Sequence, residues 1–135
     1  MGNNNGFIRL KMEKLTKKQI RKLEKRELKR KDREWREAAL KRDGYKCQYC
    51  GIYNKSNHVH HLIPRQNKKL RHNIENGITL CAGHHRFSFE FSAHQNAFAF
   101  YNWFSTIKFR QYVNLLIEYE KTKHHFNLVI ENKNA

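Results

Sequence analysis

Cys47 and Cys50 are separated by two residues, and so are Cys81 and His84. A Cys-x2-Cys turn offers two thiolates to one ion, and the second pair completes a Cys3His set of the kind that closes a tetrahedral structural zinc site. One such pair is weak evidence; two at the same spacing, divided by a strand-sized insert, are strong. An ordinary buried Cys81 with a surface His84 would leave the odd cysteine count unexplained. Three cysteines do not make a disulfide framework, so the thiols are expected reduced, as ligands, in an intracellular and cytoplasmic setting.

Between the two pairs lies Val59-His60-His61-Leu62-Ile63-Pro64. Asn76 follows His61 by 15 residues, and His85 directly follows the ligand candidate His84. A lone histidine is usually structural or exposed, but several potential metal or acid–base groups crowded around a zinc set call for chemistry. His58, His72, His124 and His125 read as surface residues, with His72 the one that could meet a phosphate.

The string Cys47-x2-Cys50…His60-His61…Asn76-Gly77-Ile78-Thr79-Leu80-Cys81-x2-His84-His85 resembles the HNH nuclease family. The usual family form ends Cys-x2-Cys-His; here His84, a competent zinc ligand, stands in place of the fourth cysteine. The stretch Ser92-Ala93-His94-Gln95-Asn96, followed by Phe98 and Trp103, is similar to a branch of HNH proteins common in bacteriophage genomes. The resemblance covers about residues 35–104.

It implies a ββα-metal core and hydrolysis of DNA phosphodiester bonds, which needs an activated water and a cation at the scissile phosphate. Carried over residue by residue, His61 is the general base, and its near-neutral intrinsic pKa suits that work. His60, on the opposite side of the same strand, and His85 are metal ligands, with local backbone twist bringing His60 round. Asn76 orients the base and its loop; its plainer reading is the first residue of an Asn-Gly turn, and one residue could serve both needs. The family's usual third ligand falls on Phe89, which cannot bind metal. His94 is the preferred replacement and Glu90 the alternative. Mg²⁺, Mn²⁺, Ni²⁺ and Zn²⁺ are all compatible with such a site.

These residues need elements to position them. Residues 16–42 contain no Pro or Gly and are rich in helix formers, with Thr16 a candidate N-cap and Gly44 a stop. Ile20, Leu23, Leu28, Trp35 and Ala39 mark only a narrow apolar stripe. Residues 58–63 and 78–80 suit short strands, and 81–91 a helix. The aromatic stretch from Phe98 to Tyr119 reads as two helices broken near Ser105-Thr106, core before stacking platform, and 126–130 as a possible strand. The fold class is therefore α+β and mostly helical. Its divisions are a flexible start (1–15), a basic helical arm (16–42), the nuclease core (43–104) and a C-terminal helix and tail (105–135).

Charge indicates the partner. Lys and Arg number 28 against 12 acidic residues, and residues 1–46 alone hold 17 against 7. Such an excess is best tolerated beside a polyanion, and DNA is the leading candidate because neutralised phosphates release counterions. Lys29, Arg30 and Arg33 on the arm, and Arg65, Lys68, Lys69 and Arg71 in the loop beside the site, are the expected backbone contacts. A membrane surface fits less well, because no wide apolar face opposes the charges, and no run is long enough to span a bilayer. A non-catalytic zinc-containing nucleic-acid-binding module is the rival reading. A nuclease directed by a phage packaging or recombination partner is a variant of the first.

Overall fold

The computed structural model describes residues 14–133, with side chains described as far as residue 123. The expected flexible start lies mostly outside the described residues, as do the side chains of His124 and His125. In chain order the elements are helix α1 (Lys17–Arg42), strand β1 (His58–His61), a 3-10 turn (Ile74–Asn76), strand β2 (Gly77–Leu80), a π-helical turn (Gly83–Phe87) and helices α2 (Ala97–Ile107) and α3 (Phe109–Lys133). The fold is mostly helical with one two-stranded antiparallel sheet. The described residues fall into two compact units, divided between Glu34 and Trp35.

In the first unit, Thr16 begins α1 through a reciprocal cap. Its hydroxyl accepts from the Gln19 amide, while Gln19 Oε1 accepts from the Thr16 amide. Leu23 and Leu28 are exposed, so this part of the stripe buries little. Arg30 pairs with Glu27 and Glu34 one turn away on either side.

In the second unit, α1 changes character. Trp35, Ala39 and Leu40 are buried, and the helix ends in a Schellman motif. The Tyr45 amide donates to the Leu40 carbonyl and the Gly44 amide to that of Lys41, with Gly44 at φ +63°. Asp43, just before that glycine, accepts from the Thr79 amide and pairs with Arg42. Arg42 in turn donates to the carbonyls of Ile74 and Gly77. The helix end thus grips the start of β2. Residues 46–53 form a tight hairpin in which the Cys47 amide donates to Ile52 and the Gly51 amide returns to Cys47. Buried Asn57 ties that hairpin down through bonds to the Tyr45 and Ile52 carbonyls.

Strand register pairs His58 with Leu80, His60 with Ile78 and His61 with Gly77. Leu62, Ile78, Leu80, Phe100, Phe104 and Leu115 form the core beneath, joined by Cys47 and Ala93. Phe98 and Phe109 are largely exposed, so the aromatic stretch is only partly core.

Four local expectations are corrected. The helix expected over 81–91 is a single π turn, closed by the Ser88 amide on the Gly83 carbonyl, after which the chain turns away. The helix break falls at Lys108 rather than at Ser105-Thr106. Residues 126–130 continue α3 instead of forming a strand. Asn76-Gly77 is not a two-residue hairpin turn: Asn76 ends the 3-10 turn and Gly77, with φ −124°, opens β2. Glycine is needed there because a Cβ would lie 2.7 Å from Trp35 Cζ2.

Candidate metal centre and catalytic site

Strand alternation sorts the histidines. His58 and His60 project from one face of β1, and His61 from the other. On the His61 side, the Trp35 indole stacks on the imidazole at 3.9 Å between centroids and 10° between planes. The indole is itself fixed, its Nε1 donating to the Asn73 carbonyl at 2.9 Å. His61 Nε2 lies 3.0 Å from the Arg71 carbonyl oxygen. A carbonyl can only accept, so Nε2 carries the proton of the neutral ring and Nδ1 its lone pair.

Asn76, fully buried, holds the loop that supplies that carbonyl. Its Oδ1 accepts from the Ile63 amide at 2.6 Å, and its Nδ2 donates to the carbonyls of Ile63 and Leu70, each at 3.0 Å. One side chain therefore pins both ends of the loop carrying Arg65, Lys68 and Lys69, all exposed, and sets the place of half-buried Arg71.

On the other face, His60, His85 and His94 bring one ring nitrogen each to within 4.8 Å of one another. His85 Nε2 is 3.1 Å from His94 Nε2. His94 reaches this position because its amide donates to the His85 carbonyl, beside the Ala93 amide on that of His84. Glu90, the alternative third ligand, is exposed and is not a member of the cluster. His60 Nε2 is buried and has no hydrogen-bond partner among the described residues, an arrangement that a cation would satisfy. Burial first, then the neighbouring His94, His61 and Arg86, hold the His60 pKa down at about 4. Burial, followed by His60, His94, His58 and Arg86, takes His85 to about 3. Neutral imidazoles with their lone pairs available are what a metal site requires.

Sequence reasoning missed one member of this face. His58, read as a surface residue, is half-buried, and its Nδ1 lies 2.8 Å from His85 Nδ1. Its own pKa is lowered by burial and by Arg86 and Arg36. The available signal was period two, since a residue two before His60 shares its face.

The Cys3His set gathers as the spacing suggested. Cys47, Cys50, Cys81 and His84 place their donor atoms within 4.8 Å of one another. Cys81 Sγ is 3.2 Å from His84 Nδ1, and Cys50 Sγ is 3.9 Å from Cys81 Sγ. Burial would raise the Cys47 pKa, but amides of Cys50, Cys81 and Tyr49 outweigh it and the net shift is downward. That favours the thiolate a metal binds. Tyr49 and Phe91 stack at 3.8 Å beside the cluster, Trp103 meeting both edge-on.

Two antiparallel strands leading into a short helical turn, with His60 on β1 and His85 on the turn sharing a histidine cluster and a Cys3His cluster gathered by the same turn, define a domain of the ββα-metal class. The HNH endonuclease family model matches residues 47–86, so this segment of the chain is similar to HNH endonuclease domains. Comparison with curated proteins and with solved structures finds no significant match. No helix among the described residues is long and apolar enough to cross a membrane.

Proposed function

We propose that this protein is a metal-dependent endonuclease that hydrolyses DNA phosphodiester bonds. The observation that carries the reading is the His60–His85–His94 cluster, with a buried His60 Nε2 that has no partner among the described residues. A binding module has use for a structural Cys3His site but none for a second group of imidazoles kept neutral by burial. A divalent cation held there, Mg²⁺, Mn²⁺, Ni²⁺ or Zn²⁺, would bind a scissile phosphate oxygen and neutralise developing charge. The Cys3His cluster is assigned a structural Zn²⁺, on which folding depends.

Hydrogen-bond geometry supports an account of the protein's own part in the reaction. His61, with Nε2–H committed to the Arg71 carbonyl, takes the proton of the attacking water on Nδ1. Trp35 and the Arg71 carbonyl together fix the ring in plane and tautomer. Asn76 keeps that carbonyl in place by clamping the loop. Arg65, Lys68 and Lys69 meet the DNA backbone, and Lys29 and Arg33 add phosphate contacts from the arm. Arg30 would first have to release Glu27 and Glu34, so its share is smaller. Direction by a phage packaging or recombination partner is compatible with the same chemistry.

The test is conversion of supercoiled plasmid to nicked and linear forms with Mg²⁺, Mn²⁺ or EDTA. The parent should cut only with metal, and His61→Ala should lose about 100-fold or more in rate while still shifting DNA in a gel. DNA shifted but uncut by both proteins would favour the binding module.

A further inference from the structure

We infer that His58 is a positioning residue for the catalytic metal, accepting the Nδ1 proton of His85 so that Nε2 of that ring is presented to the ion. The inference rests on the reading of His60, His85 and His94 as the metal site and extends it by one residue.

The two nitrogens of His85 point to different partners. Nε2 faces His94 Nε2 at 3.1 Å, inside the cluster, whereas Nδ1 faces His58 Nδ1 at 2.8 Å, outside it. An imidazole that binds metal through Nε2 keeps its proton on Nδ1 and needs an acceptor there, commonly a carboxylate or a backbone carbonyl. Here the acceptor is a second imidazole. For Nδ1–H of His85 to be donated at 2.8 Å, His58 must present a lone pair on its own Nδ1 and so carry its proton on Nε2. The ring centroids are 5.0 Å apart for a 2.8 Å Nδ1···Nδ1 contact, so the contact runs nearly radially out of both rings and meets the accepting lone pair in its own plane, with the two planes crossed at 84°. β1 supplies the geometry at no extra cost, because His58 and His60 share a face two residues apart.

The alternative, that His58 is itself a ligand, makes a different prediction, because an amide oxygen in the Nδ1 position can accept a proton but is a poor replacement for a ligating imidazole. Asn places its Oδ1 near the position of a histidine Nδ1. Mn²⁺ affinity should therefore be measured by calorimetric titration of full-length, folded parent protein, His58→Ala, His58→Asn and His85→Ala. Folding is checked by thermal melting, and the His85 tautomer is read from its ¹⁵N shifts. We expect His58→Ala to bind Mn²⁺ about 10–100-fold more weakly, with a mixed His85 tautomer, and His58→Asn to stay within a few-fold of the parent with Nδ1 protonated. Parent affinity in His58→Ala would overturn the inference, as would a His58→Asn protein as weak as His58→Ala. If His85→Ala also bound Mn²⁺ like the parent, the failure would belong to the metal site itself rather than to His58.

Discussion

An imidazole removed from water loses its protonated form first, and His60 and His85 carry that cost in measurable form. Both titrate near 6.5 in an unfolded chain, but at about 4 and about 3 in the folded one. Below about 6.5 the unfolded chain takes up protons that the folded chain refuses, so stability is complete above that value and falls as pH drops toward 4. Urea midpoints at pH 7 and pH 5 should therefore differ, with the lower value at pH 5. The difference should shrink in His60→Gln, which removes one of the two protons. Protonation of the Cys3His ligands adds to the drop in both proteins, so the comparison between them isolates His60. An equal drop in parent and variant would mean that His60 is as hydrated in the fold as outside it.

At the level of elements, the sheet face bearing His61 depends on a missing side chain. Trp35 can stack on His61 only because residue 77 has no Cβ. Gly77→Ala puts a carbon 2.7 Å from the indole, and the indole cannot retreat without leaving the Asn73 carbonyl. We expect a loss of about 1–3 kcal/mol, read from denaturant midpoints, with a shifted Trp35 emission and a lower kcat at similar KM. Wild-type stability with unchanged emission would show that the strand absorbs the extra carbon.

The same region shows what a sequence does and does not disclose. The two Cys/His pairs, the His60-His61 doublet and Asn76 were legible because their chemistry depends on residue type and spacing, both of which are linear. The cap at Thr16 and the stop at Gly44 were legible for a similar reason, since both act within one turn. The purpose of Gly77 was not, because its constraint comes from a tryptophan 42 positions earlier in the chain. Asn-Gly states a local turn preference that tertiary packing overrides here. His58 was misread because surface and partly buried strand positions look alike until the other side of the site is known. The helix expected over 81–91 failed where residues 83–87 take a wider, i→i+5 turn that brings His84 to the Cys3His cluster, a demand that helix propensity does not encode.

Over the whole molecule, charge is distributed as the DNA reading requires. From Lys17 to Glu34 the arm helix is predominantly basic, and it buries no residue. Replacing Lys29 and Arg33 with Gln should weaken binding to any duplex alike and lower the slope of log affinity against log salt by about 2. Cleavage rate at saturating DNA should hardly change. A salt slope equal to that of the parent would make this stretch a solvated helix without a phosphate partner.

His84 and His85 are adjacent in the chain yet serve different clusters, and Cys81 belongs to the same stretch through the bond from the His85 amide to its carbonyl, 2.8 Å long. The π turn is thus a yoke between the part of the protein that holds its shape and the part assigned to chemistry. Oxidation of the Cys81 thiol would release one end of that yoke, and His85 would swing with it. Damage to a sulfur outside the histidine cluster would then be felt as lost grip on the ion proposed there, so an oxidised preparation should fail at metal binding before it fails at binding DNA.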